Sequence, residues 1–169
     1  MNIHKTFTFL TFYASTFVAA SSAAVWEVGG TWYQSLNQPS FTPPSSVFGP
    51  VWTILYLMIA IVAYRIACAQ ETSWKIPALA LWALQIVLNT LWTPIFFGAK
   101  NLGCAMIYIG LLWVTICVLI WMTRQVDKLS AILLLPYLVW VSFASVLNFA
   151  MIPIPAGLLY EVWTHPRQN

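Results

Sequence analysis

Charge is what this chain of 169 residues has least of: 7% of its residues are Asp, Glu, Lys or Arg, while 61% are hydrophobic. A soluble globule of this length needs more polar surface than that to cover itself, so the composition places the chain in lipid. The few charges punctuate long uncharged runs at residues 6–26, 28–64, 76–99, 101–123 and 129–160. With no ionisable carboxylate or base inside a run, the parts required by ion pumps, proton-coupled transporters and voltage sensors are missing. Histidine and cysteine are also scarce. His4 and His165 lie near the two ends, and Cys68, Cys104 and Cys117 have neither CxxC nor Cys/His spacing. No metal site is expected, and the thiols read as buried structural groups. A Gly-rich phosphate loop, a nucleophile elbow and an intramembrane carboxylate pair are all absent, so no conventional catalytic constellation exists. The net charge of +3 is spread over loops without a basic cluster, which removes nucleic acid as a partner.

What is present is apolar sequence in lengths suited to a bilayer, which a helix crosses in about 20 residues. The runs are too long and too evenly apolar for barrel strands. The run 28–64 exceeds one span, but Pro39, Pro43 and Pro44 interrupt it, making 26–44 a loop and placing the helix after it. Pro153 and Pro155 trim the last run in the same way. The expected architecture is an all-α membrane protein, a bundle of five transmembrane helices at about 5–25, 45–67, 76–98, 101–123 and 129–152, in a single domain 1–169. Residues 1–24 also carry the outline of a cleaved signal peptide, with His4 and Lys5 before an apolar stretch and "SSAA" after it. The stretch is longer than a usual signal core, and Ser15, Ala19, Ser22 and Ala23 form a small-residue face suited to helix packing, which favours a first span. Alternating five spans puts Lys5, Arg65, Lys75, Arg124 and Lys128 on one side and Lys100 and Arg167 on the other. That bias predicts a cytoplasmic N-terminus, with the first loop and the C-terminus across the membrane.

Aromatic rings and neutral amides recur at helical spacing. Phe48, Trp52 and Tyr56 follow one another every four residues; Gln85, Asn89, Trp92 and Phe96 share a face; Tyr137, Trp140, Ala144 and Asn148 share another. Two readings fit. The rings can be core or interfacial belt, as Trp74, Trp121 and Trp163 near predicted helix ends suggest, with the amides bonded between helices. The same stripes can instead line a ligand pocket. Gly103, Gly110 and Cys117, seven residues apart, add a seam of small residues that suits an intrachain contact or a homodimer face.

Three segments, "WYQSLNQPSFTPPSSVFGPVWTILY", "LNTLWTPIFFGAKNLG" and "PYLVWVSFASVLN", resemble the signature blocks of the TspO/MBR family, the tryptophan-rich sensory proteins and translocator proteins, and recur in family order. The resemblance implies a five-helix bundle, often dimeric, that binds porphyrins such as protoporphyrin IX, or haem, and isoquinoline carboxamide or benzodiazepine-type drugs. It places the pocket between the first loop and the adjoining helix halves, with Tyr33, Pro43, Phe48, Tyr56, Asn89 and Ala144 at pocket or lid positions and Gln85 at a site polar in some members. Trp52 and Trp140 match the two tryptophans implicated in light-dependent porphyrin breakdown. Phe41 stands where the lid block usually has tryptophan, Cys104 replaces a tryptophan of the animal drug pocket, and Tyr108 stands where an acidic residue is common. The sterol-recognition pattern is missing as well: Phe149 has no base after it, and Tyr160 and Arg167 are too far apart. Porphyrin is therefore the expected partner, drugs are less secure, and sterol binding is doubtful.

Together these readings predict a membrane receptor or sensor whose site comprises Tyr33, Phe41, Pro43, Phe48, Trp52, Tyr56, Gln85, Asn89, Trp92, Tyr137, Trp140, Ala144 and Asn148. Proline fixes φ and narrows the unfolded ensemble, so Pro39, Pro43 and Pro44 would hold the first loop as a lid. Ser45 or Ser46 is the expected cap of the second helix, and Lys100 the expected partner of the propionates. The alternative function is a light-dependent porphyrin-degrading enzyme, with Trp52 and Trp140 as photochemical groups, or a passive tetrapyrrole or lipid transporter.

Overall fold

The computed structural model of the chain describes residues 12–14, 16, 26 and 29–153. The expected first span, 5–25, lies largely outside the described residues, as do Pro155, Tyr160, Trp163 and Arg167. Among the described residues all regular structure is helical. The elements are α1 (Thr31–Ser35), α2 (Ser45–Cys68), α3 (Lys75–Thr93), which runs into one π-helical turn (Pro94–Gly98), α4 (Leu102–Val126), α5 (Lys128–Leu133) and α6 (Leu135–Met151).

Four helical stretches, Ser45–Cys68, Lys75–Gly98, Leu102–Val126 and Lys128–Met151, are long and apolar enough to cross a membrane. At 1.5 Å per residue each reaches about 36 Å, more than the hydrocarbon thickness of a typical bilayer. Prolines and caps set their boundaries. Pro44, in extended conformation, stops the loop, and α2 begins at Ser45 without a side-chain cap; the expected capping by Ser45 or Ser46 is not made, because both already lie in the first helical turn. Asn101 caps α4 by accepting from the Cys104 amide at 2.9 Å, and Asp127 caps α5 through the Ser130 amide. Pro136, without an amide hydrogen, sits where α5 gives way to α6, so the last stretch is broken at Leu134 rather than continuous.

The central core is built at helical spacing: Leu55, Ile59, Val62 and Ile66 of α2 meet Ala78 and Trp82 of α3 and Ile109, Leu112, Ile116 and Leu119 of α4. The Trp82 indole donates to the Ile59 carbonyl at 3.0 Å, tying α3 to α2. A second cluster, Tyr33, Phe96, Leu102, Ala105, Leu147 and Met151, lies at the first-loop end. Outward faces carry Ile76, Val87, Ile107, Val114, Val139 and Phe149, residues that match lipid tails, so association of the helices rests on packing and interhelical hydrogen bonds. At the end away from the first loop, Arg65 Nε lies 2.7 Å from Asp127 Oδ2 and Lys75 Nζ 2.6 Å from Glu71. Cys68 and Cys104 are exposed and Cys117 partly buried; the burial expected of all three fails for the first two, which stand near helix ends.

Candidate ligand-binding site

The first-loop half of the bundle encloses a cavity of about 390 Å³, within the range of small-molecule sites. α2 supplies Phe48, Trp52 and Tyr56, the stripe at every fourth residue. α3 and its π turn supply Asn89, Trp92, Thr93, Phe96 and Phe97; α4 adds Ile109 and Leu112; and α6 adds Trp140, Val141, Ala144, Leu147, Asn148 and Met151, while Tyr33 of α1 lines it from the loop side. Pro94 explains the density of rings on α3. Lacking an amide hydrogen, it favours a wider turn closed by the Ala99 amide on the Pro94 carbonyl at 2.8 Å. In that turn Phe96 and Phe97 both reach the cavity, with Phe96 stacked on Trp92 at 4.8 Å.

Trp52 stacks on Tyr56 with centroids 5.4 Å apart, and Trp140 meets Phe48 edge-on at 5.8 Å. Beneath them runs a buried polar chain. Tyr56 Oη donates to Asn89 Oδ1 at 2.9 Å, Asn89 Nδ2 donates to Tyr137 Oη at 2.7 Å, and Tyr137 Oη donates to Gln85 Oε1 at 2.9 Å. This chain joins α2, α3 and α6 and fixes the Asn89 amide at the cavity wall. Asn148 is held separately, with its Nδ2 on the Leu102 carbonyl at 3.4 Å.

Among the described residues no Asp, Glu, Lys or Arg lines the cavity. Its polar character comes from neutral groups, and four of these are buried without a partner among the described residues: Tyr33 Oη, Trp92 Nε1, Trp140 Nε1 and Asn148 Oδ1. Burial pushes the Tyr33 phenol up from its ordinary pKa, so it stays a neutral donor. Three donors and one acceptor in an aromatic box suit a flat, largely apolar molecule carrying a few polar atoms. Among the described residues no group of His, Cys, Asp or Glu is arranged to hold a metal ion.

Of the residues singled out in the sequence, Tyr33, Phe48, Trp52, Tyr56, Asn89, Trp92, Trp140, Ala144 and Asn148 come together on the wall. Gln85 and Tyr137 do not line it, because they lie about one turn deeper, fully buried in the polar chain. Phe41 and Pro43 also stand off the wall. Phe41 lies within the turn closed by the Thr42 amide on the Pro39 carbonyl and is 50% exposed, its ring 6.4 Å from Phe143. Lys100 is absent from the wall too; its ammonium lies over the Trp32 ring, 5.7 Å from the centroid. Phe97, Thr93, Leu147 and Met151 were missed. Pro94 was the available signal for Phe97, and the others are ordinary core residues with no distinguishing spacing.

Residues 7–153 match the sequence profile of the TspO/MBR family. The chain is 42% identical over 149 residues to Protein CrtK of Rhodobacter capsulatus, covering 84% of this chain and 91% of that protein. It is 37% identical over 141 residues to the tryptophan-rich sensory protein of Cereibacter sphaeroides, with 83% and 87% covered. The translocator protein of Homo sapiens is 36% identical over 125 residues, with 73% and 74% covered. A match of this extent, carried by four apolar helices long enough to span a bilayer, makes the chain an integral membrane protein that belongs to the TspO/MBR family.

Proposed function

We propose that the chain is a membrane sensor or receptor that takes a porphyrin, protoporphyrin IX or haem, into the aromatic cavity. One observation carries the reading: rings from α2, α3 and α6 surround a space in which, among the described residues, no charged side chain stands and the indole N–H groups of Trp92 and Trp140 have no acceptor. A tetrapyrrole gains affinity by burying its faces against such rings, at about 25 cal/mol per Å² of apolar surface, while its propionates stay toward the polar rim. Names of relatives such as sensory protein and translocator protein accord with a receptor or carrier. The first loop serves as the lid, with Tyr33 in contact with the ligand, and the N-terminus lies in the cytoplasm. Drug-type ligands are the second class for this cavity, sterol is not an expected ligand, and a homodimer is the expected assembly.

A second reading, light-dependent porphyrin breakdown, is favoured by one feature: Trp52 and Trp140 both stand on the cavity wall. Indoles in contact with an excited porphyrin can quench it by electron transfer without an acid–base pair. A titration of tryptophan fluorescence with protoporphyrin IX in detergent, first in darkness and then under illumination, tests both. Saturable quenching stable in the dark supports the receptor, and porphyrin loss that requires light adds the photochemistry. Quenching that never saturates refutes the cavity as a porphyrin site.

A further inference from the structure

A second recess lies at the first-loop end of the bundle and shares Met151 with the wall of the aromatic cavity. Its walls are Trp32, Ser35, Leu36 and Asn37 from the first loop, Lys100 and Leu102 at the start of α4, and residues 150–153 at the end of α6. The lysine is held there at a conformational cost. Lys100 is the one non-glycine residue with positive φ among those described, at 52°, a left-handed geometry that costs an L-residue energy and persists where the surroundings impose it. Those surroundings are the π turn behind it, closed by Ala99 on Pro94, and ahead of it Asn101, whose amide bonds the Ile95 carbonyl at 3.2 Å while its side chain caps α4. The chain reversal therefore directs the ammonium over Trp32 at the edge of the recess.

Among the described residues no carboxylate is paired with this charge. The described acids, Glu71 and Asp127, are both at the opposite end of the bundle, paired with Lys75 and Arg65. Lys100 lies between the ends of two membrane-crossing helices, Lys75–Gly98 and Leu102–Val126, and so at the depth of the headgroups. We propose that this recess binds the headgroup of an anionic phospholipid, with Lys100 on the phosphate, Ser35 and Asn37 as further polar contacts, and Leu102, Ile152 and Pro153 against the start of the acyl chains. A lipid fits better than a soluble anion because half the wall is apolar and the site borders the bilayer. An anionic lipid fits better than a zwitterionic one because the described wall of the recess carries a base, Lys100, and no carboxylate to receive an ammonium.

The test is thermal melting of the full chain in detergent micelles doped with phosphatidylglycerol, phosphatidylcholine or inorganic phosphate. The melting temperature should rise with phosphatidylglycerol and not with the other two additives. K100Q should weaken the apparent phosphatidylglycerol affinity about tenfold, the loss expected for one charge-assisted contact, and K100R should keep most of it. K100G separates charge from backbone geometry. Glycine accepts the left-handed conformation, so its lipid-free melting point should match or exceed the wild type while the lipid response disappears. Dark quenching by protoporphyrin IX is read on the wild-type chain without added lipid, so a failure of this site is distinguishable from a failure of the porphyrin reading. An equal phosphatidylglycerol response in wild type and K100Q overturns the proposal. So does an equal response to phosphatidylcholine, and a full response to phosphate alone reassigns the site to a soluble anion.

Discussion

Substituting Tyr137 by phenylalanine removes one oxygen from the centre of the buried polar chain while leaving the ring that packs against Trp52. Tyr137 is fully buried, and its hydroxyl both receives the Asn89 amide and donates to Gln85. The variant therefore leaves Asn89 Nδ2 one partner short and Gln85 with no bonded atom at either end of its amide, since Gln85 Nε2 has none to begin with. Each buried group stripped of its partner costs about 1–3 kcal/mol in water-soluble proteins, and nearer 0.6 kcal/mol per bond in membranes, where the unfolded chain finds other partners. Two lost bonds then come to about 1–2 kcal/mol, or a fall of about 2–8 °C in Tm for a chain of this length. Tyr56→Phe breaks only the bond to Asn89 Oδ1 and should cost less than half as much. Adding Gln85→Leu to Tyr137→Phe removes the stranded amide and should recover part of the loss. Melting curves in detergent decide the matter; a Tyr137→Phe variant within about 1 °C of wild type refutes the idea that this chain holds α2, α3 and α6 together.

Three further outcomes are expected. Trp52→Phe with Trp140→Phe keeps two apolar rings on the wall, so protoporphyrin IX affinity should fall less than about tenfold, whereas light-driven bleaching should cease; bleaching at the wild-type rate removes these indoles from the photochemistry. Asp127 is held down to a pKa of about 2, chiefly by the Arg65 hydrogen bond. Since its folded pKa lies below the unfolded value, its contribution is complete above about pH 4 and lost as pH falls toward 2. With the Arg65 side chain 38% exposed, solvent screening reduces that contribution to about 1 kcal/mol, and Asp127→Asn should lower Tm at pH 7 but not at pH 2. Gly98 closely faces Trp26, and a Cβ added there would sit 2.5 Å from the indole ring; Gly98→Ala should cost about 1–2 kcal/mol, and Trp26→Ala in the same chain should relieve it.

The four described spans were legible because seven bases and four acids among 169 residues leave the hydrophobic runs with sharp ends, and prolines supply the rest. The wall of the cavity was legible where the α-helical period holds. Phe48, Trp52 and Tyr56 fall on it because α2 winds regularly past Pro50. The period fails at Pro94, where the π turn brings Phe97 round beside Phe96. Depth along a helix was not legible either. Gln85 and Tyr137 share the faces of Asn89 and Trp140, yet a few ångströms further into the bundle they bond to each other instead of facing the cavity. Phe41 and Lys100 depended on loop geometry, set by the Pro39–Thr42 turn and by the reversal before α4, which spacing alone does not encode.

The wide turn at Pro94–Gly98 also fixes how the chain tolerates changes of length. A helix advances about 100° per residue, so the additional residue in that turn acts as a phase shifter between the regular part of α3 and the reversal that launches α4. Deleting any one residue from 94 to 98 would shorten the span by only about 1.5 Å. The same deletion would turn every following side chain through roughly a quarter of a revolution, swinging Lys100 off Trp32 and moving the Asn101 cap away from the start of α4. A one-residue deletion here is thus a rotation rather than a shortening, and the segment should be far less permissive to length variation than the loop between α2 and α3.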